Sequence, residues 1–362
     1  MKLMTAVVLL LAVVSCESDD DTQPRDPGKY ADGVFVLNEG SMDAANASVS
    51  FIPAASDSVQ GDLYKNANEV EVLGDVLMDM VSVDTLSFLV LNNSESLVVV
   101  NNKNFEHVEE ITEEVNNPRY AVAHDGLVYV SQWGNDGEIL VVDPEQLKVI
   151  NTIEVDAGPE GLAIVNDELW VANSGGFVQN NTISVIDLNQ ETVTETLEVN
   201  DGPKNLVEDA NGDMWVICAG YTEYDDSDEV VSSSSTPAAI HKIDVTDYEE
   251  TEKFTLDEEV YGKPGKIAIS PDKKSIYFGG AMGIQGIWEM DINATDLPGE
   301  TFADVSPYGM GVDPENGDVY FGIAPSFEEP GHVEVYSANG EKISTYDENI
   351  GIGPNNFIFM NE

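Results

Sequence analysis

Five stretches of this chain align on one another: NPRYAVAHDGLVYVSQW, GPEGLAIVNDELWVANS, GPKNLVEDANGDMWVICA, KPGKIAISPDKKSIYFGG and SPYGMGVDPENGDVYFGI. Each runs in the order proline, short apolar strand, polar turn, then a strand with an aromatic near its centre. The prolines are Pro118, Pro159, Pro203, Pro264 and Pro307, and Pro354 in GPNNFIFMNE makes a sixth. LMDMVSVDTLSFLVLNN fits the same frame with Leu77 in the proline's place. Anchors at 77, 118, 159, 203, 264, 307 and 354 lie 41, 41, 44, 61, 43 and 47 residues apart. Repeats of that length are read as four-stranded sheets arranged radially, so seven of them predict an all-β, seven-bladed β-propeller over residues 30–362.

The second-strand aromatics are Phe88, Tyr129, Trp170, Trp215, Tyr277 and Tyr320, at 11, 11, 11, 12, 13 and 13 residues after their anchors. Large flat rings at a fixed repeat position are read as packing between neighbouring twisted sheets. Third strands such as EILVVD and TISVID and fourth strands such as VTETLEV complete each unit with a two-residue period. No segment keeps an apolar stripe at helical spacing over three turns, which argues against an α/β fold. The last repeat, PNNFIFMNE, holds only a first strand, and the early GVFVLNEG reads as a second strand with Phe35 as its aromatic. Together they complete one blade, and the C-terminal strand closes the ring on the N-terminal blade, leaving no open sheet edges.

The chain opens MKLMTAVVLLLAVVSC, with Lys2, an apolar run from Ala6 to Val14, and a small residue before cysteine. The run is too short to cross a bilayer, which takes about 20 apolar residues, and reads as an export signal over residues 1–15. Val13-Val14-Ser15-Cys16 resembles a bacterial lipobox, which implies lipidation of Cys16. Residues 16–29, with Glu17-Ser18-Asp19-Asp20-Asp21, Pro24 and Pro27, read as a flexible acidic tether. An acidic run just after a lipidated cysteine resembles the export tag of lipoproteins on the outer face of an outer membrane. With Cys16 lipidated, Cys218 has no disulfide partner and reads as buried filler in DMWVIC.

Charge narrows the partners. The chain has 68 acidic against 15 basic residues, a formal net charge of −53. Phosphate affinity rests on clustered Lys and Arg, so nucleic acid is excluded and membrane contact is expected through the lipid alone. With 42% hydrophobic residues a real core is available. So acidic a surface suits strong salt, where screening acts over about 3 Å at 1 M, and predicts a saline habitat.

In a four-stranded blade, the loops from second to third strand and those entering each first strand share one face. The second-to-third loops here are irregular, and several carry apolar or aromatic residues: Trp133, Phe177, Tyr221, Met282 and Phe327 among them. Irregular loops on a rigid ring are where binding concentrates, and convergent aromatics suit a ligand with a large flat surface. The scarce cations gather on the same face: Arg119, Lys204 and Lys266 follow their prolines by one or two positions, and Lys263 precedes Pro264. Tyr120, Asn205 and Tyr308 hold neighbouring positions in that register. These residues form the candidate ligand site, a local positive funnel for an anionic or amide-rich ligand. The competing reading is that the cations pair with nearby acids such as Glu160 and Asp201.

Residues that would carry chemistry are scattered. His107, His124, His241 and His332 fall in different repeats with no ligand spacing, so no metal site or cofactor is expected. The acidic loop from Tyr221 to Ala239 lacks EF-hand spacing and reads as solvated loop. No Gly-x-Ser-x-Gly or Walker motif and no cysteine pair occurs. Binding without catalysis is the expectation, with an envelope scaffold or a propeller hydrolase or lactonase as alternatives, since fold alone excludes neither.

The Pro-x-Gly entry, aromatic second strand and ISVID-like third strand resemble the YncE-like seven-bladed propellers over essentially the whole mature chain. The opening GVFVLNEGSMDAANASVSFIP, with Asn38-Glu39-Gly40 and then Asn46-Ala47-Ser48, resembles surface lipoprotein propellers of Gram-negative bacteria. Some of these, the BtuG-like proteins, capture cobalamin and pass it to a TonB-dependent outer-membrane transporter. The resemblance therefore implies a monomeric surface lipoprotein that takes cobalamin or a related corrinoid and delivers it to such a transporter. It transfers no ligand residue, because the family's contacts lie in variable loops.

Overall fold

The computed structural model describes residues 28–56, 58–70, 72–225, 230–280 and 284–360. The signal sequence, Cys16, the tether up to residue 27 and Met282 lie outside the described residues.

Local turn chemistry builds each blade. Asp125 and Gly126, and likewise Asn166 and Asp167, all take positive φ in two-residue turns that close His124 onto Leu127 and Val165 onto Glu168. Such turns match the right-handed twist of the strands they join, and Asn, Asp and Gly tolerate them best. The resulting meanders form seven antiparallel sheets. We number the blades from the one holding the N-terminal strand. The innermost strands are Pro354–Met360 in blade 1, Leu77–Val83 in blade 2 and Pro118–His124 in blade 3. Pro159–Val165, Pro203–Glu208, Lys266–Ile269 and Gly309–Val312 follow in blades 4 to 7. Each touches the next, and the seven make a closed ring, the seven-bladed β-propeller expected from the repeats.

Blade 1 joins the two chain ends as predicted: Gly33–Asn38 pairs with Pro354–Met360 on one side and Ser48–Pro53 on the other. Gly322 of blade 7 lets the C-terminal strand approach, since a Cβ there would stand 2.1 Å from the Pro354 carbonyl oxygen. Five sheets have four strands; in blades 1 and 6 the outermost is reduced to an isolated bridge, Phe51 to Gln60 and Ile287 to Ala303. Tyr30, at the start of the predicted ring, is buried against Phe35, Phe51 and Phe105.

The core is distributed. Seven clusters of buried apolar residues each span two adjacent blades, because a twisted sheet must cover both its faces. Trp215 of blade 5 packs with Ile267, Ile276 and Phe278 of blade 6, and Trp170 of blade 4 with Leu206 and Val216 of blade 5. Phe88, Tyr129 and Tyr277 fill the corresponding interfaces. Tyr320 meets Phe357 and Phe359 across the seam between blades 7 and 1. Cys218 is fully buried, and burial raises its thiol pKa. Among the described residues, no helix is long and apolar enough to cross a membrane.

Candidate functional site

Strand geometry sends successive side chains to opposite faces, yet both Arg119 and Tyr120 line one cavity on the ring axis. The reason is a break in register at the start of the inner strands. Pairing slips between Leu77 and Asp79, Pro118 and Ala121, Pro159 and Leu162, and Pro203 and Asn205. Bulges of this kind re-aim side chains and recur beside functional sites. In these four blades both residues after the anchor therefore reach the cavity, and the wall as a whole has two tiers. Met78, Arg119, Glu160, Lys204, Gly265, Tyr308 and Asn355 occupy the first position; Asp79, Tyr120, Gly161, Asn205, Lys266 and Asn356 occupy the second. The cavity measures about 440 Å³.

Six of the predicted site residues, Arg119, Tyr120, Lys204, Asn205, Lys266 and Tyr308, thus come together in one wall. Three more form the rim. The Arg119 guanidinium lies 4.3 Å from the Trp133 ring, whose edge meets Phe177 at 5.2 Å. Phe327 packs at 5.2 Å on Tyr308. Phe177 is 86% exposed and Phe327 46%, unusual for aromatic rings. Tyr221 stands off the cavity: its hydroxyl donates to Glu223, and its carbonyl accepts from Lys263, which does line the wall. Met282 lies outside the described residues.

The cavity brings four cationic side chains against three acidic ones, in a protein of large acid excess. Part of the pairing foreseen from the sequence is present. Glu160, 2% exposed, accepts from Arg119 Nε at 3.1 Å and from Lys204 Nζ at 3.2 Å. Burial is the largest influence on Arg119 and works against its charge, but Glu160, Tyr120 and Glu39 together outweigh it and raise its pKa. Asp201 takes no part in this pairing and accepts instead from Thr236 Oγ1 at 2.6 Å. Lys263 donates to the Tyr221 and Thr236 carbonyls and to Thr222 Oγ1.

Sequence reasoning missed the other acids. Glu39, at the end of the second strand of blade 1, accepts from the Tyr308 hydroxyl and from Asn355. Burial raises its pKa. Asp79 accepts from the Met80 amide at 2.9 Å, the Ala121 amide at 3.0 Å and Asn356 Nδ2 at 2.8 Å. Burial outweighs these donors and pushes its pKa up to about 6. Asp79, Asn355 and Asn356 were findable, since they hold the same offsets from Leu77 and Pro354 that Arg119 and Tyr120 hold from Pro118.

The raised Asp79 pKa links stability to pH. Between about pH 4 and pH 6 the folded protein retains a proton that the unfolded chain has released. The stability this contributes is complete below the unfolded value and is lost as pH rises through about 6. Between pH 5 and pH 7 the loss is about 1 kcal/mol. An Asp79→Asn variant does not titrate there, so its unfolding free energy should rise relative to wild type by about that amount over the same interval. Urea unfolding of both proteins at several pH values checks this; a constant difference refutes it.

Fold and cavity together define a seven-bladed β-propeller with a polar axial cavity under an aromatic rim. The chain belongs to the family described as a domain of unknown function, DUF5074, whose model matches residues 32–360. No curated protein matches it. Among solved structures it is similar to a quinonprotein alcohol dehydrogenase-like protein from Bacteroides thetaiotaomicron, at TM-score 0.65 and 15% identity over 92% of this chain and 79% of that one. It is also similar to a functionally unknown protein from Desulfotomaculum acetoxidans, at TM-score 0.66 and 12% identity over 91% and 99%. A candidate 6-phosphogluconolactonase of Bacteroides fragilis gives TM-score 0.64 and 13% identity over 92% and 99%. At these identities the likeness is one of fold alone.

Proposed function

We propose that this propeller is a lipid-anchored surface protein that captures a bulky ring-bearing ligand, cobalamin or a related corrinoid, and delivers it to a TonB-dependent outer-membrane transporter. The observation that carries the reading is the exposed aromatic pair, Phe177 and Phe327, standing on Trp133 and Tyr308 at the mouth of a cavity with a cationic wall. A macrocycle resting across the mouth covers both rings, and one anionic or amide-bearing arm enters the cavity. Binding without turnover fits the state of the cavity acids. Glu160 is held by two cations, Glu39 by Tyr308 and Asn355, and Asp79 by three donors. Each of these carboxylates is engaged by partners within the wall and shapes the surface a ligand meets.

Calorimetric titration of the purified protein with cyanocobalamin in high-salt buffer tests this. Binding near one to one is expected, weakened about tenfold or more in a Phe177→Ala, Phe327→Ala double variant, at about 0.5–1.5 kcal/mol per aromatic contact. Because both rings are solvent-facing, the melting temperature should stay within a few degrees of wild type. No heat on titration removes the corrinoid and moves weight to the scaffold and lactonase alternatives.

A further inference from the structure

The upper tier of the cavity wall is uneven. Blade 3 contributes Arg119, blade 4 Glu160, blade 5 Lys204 and blade 7 Tyr308, but blade 6 contributes only Gly265. Gly280, where the second strand of blade 6 ends, leaves the same sector open. Its φ is +75°, and a Cβ there would stand 3.1 Å from Lys266 Cγ, so glycine both permits the turn and clears the lysine stem. A Cβ on Gly265 would meet nothing closer than Lys204 Cγ at 3.5 Å. Among the described residues the result is a notch above Lys266.

Lys266 differs from its neighbours. Arg119 and Lys204 share Glu160, and Lys263 is held by two carbonyls and a hydroxyl. Among the described residues Lys266 has neither hydrogen bond nor ion pair; its amine lies 5.9 Å from the Tyr308 ring centre. Asn205, at the equivalent position of the adjacent blade, accepts from the Leu206 amide with its Oδ1, which leaves its NH2 as the group able to donate. We propose that the blade 6 notch is the seat of one oxyanion, a carboxylate or phosphate-type group of the ligand, held by the Lys266 amine with the Asn205 amide beside it.

This deepens the ligand-capture reading and rests on it, because it takes the axial mouth as the entry. A cation set in a cavity wall without an acid partner is costly unless an anion joins it. Burial lowers the Lys266 pKa, with Glu39 and Glu160 opposing from a distance, and a bound anion would restore the charge. One uncommitted cation and one amide donor suit a single negative charge, since a second would face Glu39 and Asp79 unpaired.

The test labels the lysines of the purified protein as 13C-dimethyl amines and follows them by NMR. Sodium acetate, inorganic phosphate and sodium chloride are titrated at matched ionic strength, and a Lys266→Gln variant assigns the resonance. Saturable movement of the Lys266 signal with acetate or phosphate, absent with chloride, is expected, and the stronger of the two names the group. A Gly265→Val variant, which fills the notch and keeps the charge, should weaken that response about tenfold while melting normally. A Lys266 signal that is still, or that follows ionic strength alone, overturns the proposal, and so does an unaltered response in Gly265→Val. Cyanocobalamin titration separates the two readings. Movement with phosphate but no cyanocobalamin binding sinks the corrinoid and keeps the oxyanion seat. Equal cyanocobalamin affinity in wild type and Lys266→Gln, with no anion response, does the reverse.

Discussion

A chain ending at residue 353 should lose cooperative unfolding. The nine missing residues contain the inner strand of blade 1, Pro354–Met360, which pairs along Gly33–Asn38 and supplies Phe357 and Phe359 to the seam with Tyr320. Removing it also exposes the backbone edge of Gly33–Asn38 and parts the neighbouring inner strands, creating open edges that template aggregation. Domains are stable by about 5–15 kcal/mol, and Phe357→Ala alone should cost about 3–5 kcal/mol. Loss of the whole strand exceeds what remains. Circular dichroism melting and gel filtration of the truncated chain check this. A transition within a few degrees of the full chain would falsify the account of closure. Phe357→Ala gives the graded version, a lowered but still cooperative transition.

Glu160→Gln should be the most damaging single polar change in the cavity. The carboxylate is nearly inaccessible and serves Arg119, itself largely enclosed, and Lys204, which is 37% exposed. Breaking an enclosed pair costs about 3–5 kcal/mol because it strands a charge, and exposure of Lys204 pulls the expected loss toward the lower figure. Urea denaturation should register a loss of about 3 kcal/mol with unchanged dependence on denaturant. Adding Arg119→Met should recover a large part of it, since the stranded guanidinium is then gone and the two changes are not additive. If Glu160→Gln unfolds like wild type, or if the double variant is worse than the sum of the singles, Glu160 is not the keystone of the wall.

Much of this architecture is legible in the sequence because propeller blades are built from local hairpins. Proline anchors, turn residues such as Asp125-Gly126 and the second-strand aromatics mark the blades, and the orphan first strand at the C-terminus announces the closure. Outer strands are harder. Thr192–Glu198 is read as a strand although only Val193 and Leu197 are withdrawn from solvent, but the bridges at Gln60 and Ala303 leave almost no pattern to find. In the site, charge was a good guide and register was a better one. Following cations found Arg119, Lys204 and Lys266, but Leu77 in place of proline hid Met78 and Asp79. Glu39 reaches the wall from a loop at the other end of the chain. That both residues after an anchor point inward follows from the bulges, which no alternation rule predicts.

The seam in blade 1 also sets an order of events. The Asn355 side chain meets Glu39 across a separation of 316 residues, and Pro354–Met360 pairs along the whole of Gly33–Asn38. Blades 2 to 7 can form as local hairpins while the chain is still being synthesised, but the ring cannot shut until Pro354–Met360 has left the ribosome. Every molecule therefore passes through an unlatched arc with one edge of Gly33–Asn38 waiting for its partner. Proteases and chaperones meet that arc, and the time taken to latch it sets how long they have.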